Sequence, residues 1–224
     1  MHIGLIGGIG PAATELYYRG LTDRHATSGT VLSLTISHAD INEMISNLTS
    51  AARDKQAAVF EQHIRSLAAA GARAAAVTSM GGHFCIRELE RISSLPLINA
   101  LPEVDAEIER RGLRKVGILG TRIVMETRLY GSIRSAEVLV PDGDAFENVQ
   151  AAYGAMAMAA RVTEAQRTVF FEAGRRLHSR GAEAVLLGGT DLFLAFQGQA
   201  PAFPFIDLAE VHIEAIYRRS LGEA

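Results

Sequence analysis

The same strand pattern occurs twice in this chain of 224 residues. Residues 3–7 read IGLIG and residues 116–120 read VGILG, while residues 75–79 read AAVTS and residues 185–189 read VLLGG. The first pair is 113 positions apart and the second pair is 110 positions apart, so the spacing is nearly constant. Apolar strands that end on small residues and recur with one phase predict two similar α/β halves.

Strand and helix patterns alternate along most of the chain, which predicts parallel sheets with right-handed crossovers. Strands are expected at residues 3–6, 31–36, 74–78, 95–99, 115–119, 137–140, 184–187 and 205–206. Helices are expected from residue 11 to about 24, at 41–48 with Asp40 as the cap, at 51–70, 84–92 and 103–111, through residue 128 with Thr121 as the cap, twice within 146–180, and at 208–219.

The last helix can pack on the first half, so the halves need not be contiguous in sequence. We expect a first α/β subdomain of residues 1–100 plus 207–224 and a second of residues 101–206. Open α/β sheets bind ligands at the carboxyl ends of their strands. A cleft between the two subdomains would then place Ser79 and Gly189 on opposite walls.

Net charge, cysteine count and the lengths of apolar runs limit the classes of function that this chain can have. The formal net charge of −3 gives no concentrated basic surface, which argues against nucleic-acid binding. A single cysteine cannot form an internal disulfide, as expected for a reducing compartment. The chain starts directly with a strand pattern and has no apolar run long enough to span a membrane. We therefore expect a cytoplasmic protein that does not act at a membrane.

A glycine-rich turn follows the first strand. Residues 8–13 match G-x-G-x-x-A, and Asp40 lies 30 positions after Gly10, which loosely suits a dinucleotide site with an acid for the ribose. Pro11, however, removes one of the N–H groups that a pyrophosphate needs. Three interpretations stay open: an NAD site, a carboxylate or small-anion site that includes Gly8, and a plain strand–helix turn.

Several segments in order carry a resemblance to a known family. They are residues 4–14 (GLIGGIGPAAT) followed by YYR, residues 115–121 (KVGILGT) followed by Leu129 and Tyr130, residues 180–191 (RGAEAVLLGGTD) and residues 204–207 (PFID). Together they resemble the aspartate/glutamate racemase superfamily. The resemblance implies two α/β subdomains with pseudo-twofold symmetry, a homodimer, a small carboxylate or amino-acid ligand and no cofactor.

The resemblance also implies a mechanism whose usual groups are missing here. In such racemases one cysteine thiolate removes the α-proton and a second, on the opposite face, returns a proton. The family pattern around the first cysteine is Cys-Asn-Thr-x-His, and residues 79–83 here read SMGGH. The second cysteine lies in Gly-Cys-Thr-Glu, where this chain has Gly189 followed by Thr190 and Asp191.

Other groups could replace the thiols. Ser79 is a poor base alone, but His83 could activate its hydroxyl, and Asp191 could serve the other wall. Each has an alternative, since His83 and Asp191 could simply cap helices. Cys85 is expected to be a buried packing thiol. Residues expected to bind the substrate are Gly8, Thr78, Gly81, Gly82, Thr121, Gly189 and Thr190.

Three functions follow, and no metal site is predicted for any of them. The first is racemase-like proton transfer at the α-carbon of a small carboxylate or amino acid. The alternative is a catalytically inactive small-carboxylate-binding protein on the same scaffold, and the third is an NAD-linked enzyme. Family members that act on acidic amino acids often have an arginine soon after the second strand, whereas the nearest one here is Arg53. A less charged carboxylate is therefore as plausible a substrate as an acidic amino acid.

Overall fold

The computed structural model describes residues 1–223 and divides into two compact units. Unit 1 comprises Met1–Asn99 together with the chain from His212, and unit 2 comprises Ala100–Val211. Each unit is built on a parallel β-sheet with helices between successive strands, which is the predicted α/β class.

Unit 1 contains a three-stranded sheet in the order β2-β1-β3. Its elements are β1 (His2–Gly7), α1 (Pro11–Ser28), β2 (Ser33–His38), α2 (Ile41–Thr49), α3 (Arg53–Ala69), β3 (Ala74–Val77), a 3₁₀ turn (Gly81–Cys85) and α4 (Ile86–Ile92). The predicted cap of α2 is confirmed, because Asp40 Oδ1 accepts a hydrogen bond of 2.7 Å from the backbone N–H of Asn42.

Unit 2 contains a four-stranded sheet in the order β5-β4-β6-β7. Its elements are α5 (Ala100–Arg110), β4 (Lys115–Leu119), α6 (Arg122–Glu126), β5 (Glu137–Leu139), α7 (Gly143–Ala159), α8 (Glu164–Ser179), β6 (Ala184–Leu187), a 3₁₀ turn (Thr190–Leu192), α9 (Phe193–Phe196) and β7 (Phe205–Asp207). The last helix, α10 (Leu208–Leu221), lies mostly in the part of the chain that belongs to unit 1.

The register of the strands repeats between the units. In unit 1 Gly4 is paired with Ala75, and in unit 2 Gly117 is paired with Val185. Gly117 follows Gly4 by 113 positions, and Val185 follows Ala75 by 110 positions. The repeat that the sequence predicts is therefore present in the hydrogen-bonding of both sheets.

A glycine in each central strand lets one leucine pack directly on the sheet. A Cβ at Gly4 would lie 2.9 Å from Cδ1 of Leu67 in α3. A Cβ at Gly117 would lie 3.0 Å from Cβ of Leu177 in α8. Both leucines are fully buried, so the same close helix–sheet contact is built twice.

One predicted element is wrong, and one is shorter than predicted. Residues 95–99 are not a strand: only one isolated bridge forms, between Ala75 and Leu97. Pro96 has no N–H to donate, and α5 starts at Ala100, so no ladder extends from this bridge.

The helix predicted to run from the Thr121 cap to residue 128 is α6, which is shorter than expected and ends at Glu126. Arg128, Leu129 and Tyr130 follow with φ angles of 51°, 56° and 60°, a left-handed backbone that cannot continue an α-helix.

Among the described residues, no helix is both long and apolar enough to cross a membrane.

Candidate functional site

The carboxyl edge of the unit 1 sheet carries the predicted residues of the first half-site. All strands of this sheet are parallel, so the segments that follow β1 and β3 leave from one edge. Gly8 follows β1, and Thr78 and Ser79 follow β3. This edge is where open α/β sheets hold their ligands.

The position of Gly8 has no room for a side chain. Its φ is +88°, and a Cβ there would lie 2.5 Å from the carbonyl oxygen of Ala39. The Gly8 N–H donates to Oγ1 of Thr14 at 2.9 Å, so the fold itself uses this donor. The NAD-linked alternative gains no support, because β3 lies beside β1, whereas the dinucleotide-binding fold places its third strand beside the second.

The loop after β3 is held by short polar contacts. The Thr78 hydroxyl donates to the carbonyl oxygen of Ile6 at 3.0 Å, and Thr78 is fully buried. The Ser79 hydroxyl oxygen accepts a hydrogen bond of 3.2 Å from the N–H of Gly82. Thr78 therefore ties the loop to β1, and the Ser79 hydroxyl closes the start of the 3₁₀ turn.

His83 is bonded to the main chain of Ser79. Its Nδ1 lies 2.7 Å from the Ser79 carbonyl oxygen. A carbonyl only accepts, so Nδ1 carries the proton and Nε2 is the basic nitrogen of the ring. Burial lowers the pKa of His83 to about 4, so the ring is neutral near pH 7. This bond joins His83 to the Ser79 carbonyl oxygen, and the role of His83 as a base for the Ser79 hydroxyl stays a prediction.

A second buried histidine supports His83. The His212 ring lies 5.6 Å from the His83 ring in an edge-to-face arrangement. His212 Nε2 lies 2.8 Å from the carbonyl oxygen of Ile98 and must donate to it, so Nδ1 accepts from the Tyr17 hydroxyl at 2.9 Å. Burial, and then the neighbouring His83, lower the pKa of His212 to about 3.

Cys85 is placed as expected for a packing thiol. It is fully buried, and its sulfur lies 3.6 Å from the carbonyl oxygen of Gly82. Burial raises the pKa of this thiol to about 12, with the nearby Glu88 carboxylate acting in the same direction. Cys85 therefore stays protonated at neutral pH and cannot act as a thiolate base.

The carboxyl edge of the unit 2 sheet carries the predicted residues of the second half-site. Thr121 follows β4, and Gly188 and Gly189 follow β6. Thr121 is the residue before α6, but its side chain makes no capping bond. Its Oγ1 is buried and has no hydrogen-bond partner among residues 1–223, which suits a group that binds a ligand.

Gly189 is covered by an aromatic ring. A Cβ at this position would lie 2.1 Å from Cε2 of Tyr153, 2.6 Å from Cζ and 2.8 Å from the phenol oxygen. Tyr153 belongs to α7 and to the apolar core of unit 2. A side chain at 189 and the ring of Tyr153 cannot occupy this space together.

The Tyr153 phenol is paired with Asp191. The hydroxyl donates to Oδ2 of Asp191 at 3.1 Å, and both residues are buried, as is Thr190. Burial and the adjacent Asp191 carboxylate raise the pKa of Tyr153 well above its ordinary value. The phenol therefore keeps its proton at neutral pH, and Asp191 lies beside a proton donor.

Asp207 lies at the same edge, where it ends β7 and is paired in register with Leu187 of β6. Its Oδ1 accepts from the N–H of Ala209 at 2.9 Å, the bond of a helix cap. Burial raises the pKa of this carboxyl to about 7.

Comparison with known proteins gives the family. The family model described as Asp/Glu/Hydantoin racemase matches residues 6–216. The chain belongs to this racemase family. The structure is similar to that of a candidate Asp/Glu racemase from Yersinia pestis, with a TM-score of 0.82, 25% identity, and coverage of 99% of this chain and 100% of that one.

Two further structures share the fold. An aspartate racemase homologue from Pyrococcus horikoshii has a TM-score of 0.78 and 24% identity, over 98% of this chain and 99% of that one. The glutamate racemase from Francisella tularensis, solved in complex with D-glutamate, has a TM-score of 0.65 and 12% identity, over 99% of this chain and 81% of that one.

Sequence reasoning missed one residue of this racemase-family chain. Tyr153 lies 36 positions before Gly189, and nothing in its local pattern distinguishes it from a core tyrosine. The available signal was Gly189 itself. A loop in a close-packed interior that lacks a side chain must be filled by some other group.

Proposed function

We propose that this member of the racemase family is an isomerase that removes and returns a proton at the α-carbon of a small amino acid or carboxylate. The observation that carries the proposal is that a buried hydroxyl group lies at each of two corresponding loops, the loop after β3 and the loop after β6. These are the Ser79 hydroxyl in one unit and the Tyr153 hydroxyl over Gly189 in the other. The Tyr153 hydroxyl donates to the Asp191 carboxylate, and the His83 imidazole is held beside the loop of Ser79 by its bond to the Ser79 carbonyl oxygen.

The proposed chemistry does not use a thiolate. The only cysteine is Cys85, whose pKa is about 12 and whose sulfur is directed to the carbonyl oxygen of Gly82. Hydroxyl, imidazole and carboxylate groups are common acid–base catalysts in proteins. We assign Ser79, His83 and Asp191 as catalytic residues, and Gly8, Thr78, Gly81, Gly82, Thr121, Gly189 and Thr190 as residues around the substrate.

The substrate class follows from the family and from the charge near the loops. The description of the family names aspartate, glutamate and hydantoin. In unit 1, Arg53 begins α3, and its positive charge acts to lower the pKa of Cys85, which ends the 3₁₀ turn after β3. An exposed arginine near this turn suits a small amino acid with one or two carboxylates.

Binding without turnover is a second candidate. The Ser79 hydroxyl already accepts a bond from Gly82, and burial lowers the pKa of His83 to about 4. The Ser79 hydroxyl and the His83 imidazole are therefore both weak bases. A protein that holds a small carboxylate through Thr121 and the glycine-rich loops would keep the scaffold without the reaction.

Deuterium exchange separates the two candidates. The purified protein is incubated in deuterated water with the separate D and L forms of aspartate, glutamate, asparagine, alanine and 5-methylhydantoin, and loss of the α-proton signal is followed by NMR. Exchange that is absent without protein supports the isomerase. A ligand that raises the melting temperature without exchange supports binding alone. No exchange with any member of this panel would count against the isomerase.

We further propose that the protein is a cytoplasmic homodimer, as the family resemblance and the single cysteine suggest. Light scattering of the purified protein gives the mass in solution directly. A mass near 24.0 kDa, the mass of one chain, would contradict the dimer.

A further inference from the structure

We propose that Tyr153 is a catalytic residue of the second half-site, where its phenol relays a proton between the substrate α-carbon and Asp191. The inference rests on the proposed isomerase function and adds to it a residue that the family's thiol chemistry does not contain. It starts from the space at Gly189, where the family pattern places its second cysteine.

The phenol occupies the volume of the missing side chain. Its oxygen lies 2.8 Å from the position of a Cβ at Gly189, and Cε2 lies 2.1 Å from it. A polar hydrogen-bonding atom is therefore present where the side chain of residue 189 would begin. This polar atom belongs to helix α7 and not to the loop that contains Gly189.

The carboxylate behind the phenol completes the pair. The Tyr153 hydroxyl donates to Asp191 Oδ2 at 3.1 Å, and both groups are buried. Because the pKa of Tyr153 is raised, a free phenolate would be too costly to form as the base at neutral pH. A relay avoids this cost, since the phenol gains one proton as it loses another.

The proton transfer balances without any further reactant. The α C–H bond breaks, its electron pair stays on the substrate as the enolate, and its proton forms a new bond to the Tyr153 oxygen. At the same time the original phenol O–H bond breaks, and that proton moves to Asp191 Oδ2. Asp191 becomes a neutral carboxylic acid, Tyr153 stays neutral, and the reverse sequence returns a proton to the substrate.

The test compares exchange from each enantiomer separately. Tyr153→Phe removes only the hydroxyl and keeps the ring that fills the space over Gly189. If the phenol serves one face of the α-carbon, exchange from one enantiomer should fall about 100-fold or more, while exchange from the other is retained. Ser79→Ala should give the mirror pattern. Tyr18→Phe, which changes an exposed tyrosine on α1, is the matched control and should change neither rate.

Asp191→Asn is the second variant, and it keeps the test valid if Tyr153→Phe folds poorly. It should slow the same enantiomer as Tyr153→Phe. Exchange that is unchanged by both variants, or lowered equally for both enantiomers, would overturn the relay while the isomerase function stands. No exchange by the unmodified protein with any probe would overturn the isomerase function and the relay together.

Discussion

The phenol of Tyr17 donates a hydrogen bond of 2.9 Å to Nδ1 of His212, a residue 195 positions later in the sequence. The tautomer of His212 is fixed by the bond from its Nε2 to the Ile98 carbonyl oxygen, and its ring packs edge-to-face with the ring of His83. Two neutral imidazoles in the interior of unit 1 make its stability depend on pH.

We expect stability to fall as the pH is lowered from about 6.5 towards 4. In the unfolded chain both histidines take up a proton near pH 6.5. In the folded protein His83 stays neutral until about pH 4 and His212 until about pH 3. Between these values the unfolded state binds more protons, so each histidine lowers the free energy of unfolding by up to about 1.4 kcal/mol per pH unit.

Urea unfolding at half-unit steps from pH 7 to pH 5 measures this slope. His212→Gln should flatten it, whereas His38→Gln, which changes an exposed histidine, should keep it. An identical slope in all three proteins would show that the buried histidines do not carry the effect.

The paired glycines under Leu67 and Leu177 should be equally intolerant of a side chain. Gly4→Ala and Gly117→Ala each insert a methyl group within 3.0 Å of a fully buried leucine, and each should cost about 1–3 kcal/mol. Gly154→Ala is the control: it lies inside α7, and apart from its chain neighbours and the local helix backbone no atom lies within 4 Å of its Cβ position. It should stabilise the protein by about 0.5–1 kcal/mol. Equal melting temperatures for Gly117→Ala and Gly154→Ala would contradict the packing argument.

Cys85 should be almost inert in the native protein. With a pKa of about 12, its thiolate fraction at pH 8 is on the order of a thousandfold below that of an ordinary cysteine. An aromatic disulfide reagent should therefore label the folded chain very slowly and the urea-unfolded chain at once. Cys85→Ala should keep any α-proton exchange. Rapid labelling of the folded protein, or loss of exchange in Cys85→Ala, would return the thiol to consideration.

Gly189 and Tyr153 should be coupled energetically. Gly189→Ala should cost about 1–3 kcal/mol, because the methyl group meets the Tyr153 ring. In a Tyr153→Ala background the same change should cost much less, since the ring is gone. A double-mutant cycle measured by urea unfolding gives the coupling free energy. A value near zero would mean that the ring moves aside without cost.

The sequence predicted the parts of the molecule that depend on local patterns. The repeated strands, the buried run at residues 74–77 and the cap at Asp40 follow from residue periodicity and from capping chemistry. It failed at residues 95–99, where an apolar stretch that contains Pro96 makes only a bridge to Ala75. Periodicity cannot tell a short strand from an extended connection.

The candidate site was predictable only in part. The loops that carry Ser79 and Gly189 follow from the ends of apolar strands, and the structure places them after β3 and β6. The contact between Tyr153 and Asp191 depends on how α7 packs over the loop, which no local pattern encodes. The bond from His83 to the Ser79 carbonyl likewise depends on the 3₁₀ turn that follows.

The matched glycine–leucine contacts set a fixed distance between helix and sheet in each unit. The loops that hold Ser79 and Gly189 leave the ends of those same sheets, and their side chains take no part in the contacts that fix the distance. Reactive groups in these loops can therefore be exchanged without redesign of the framework, and an engineered change of chemistry can use the same freedom.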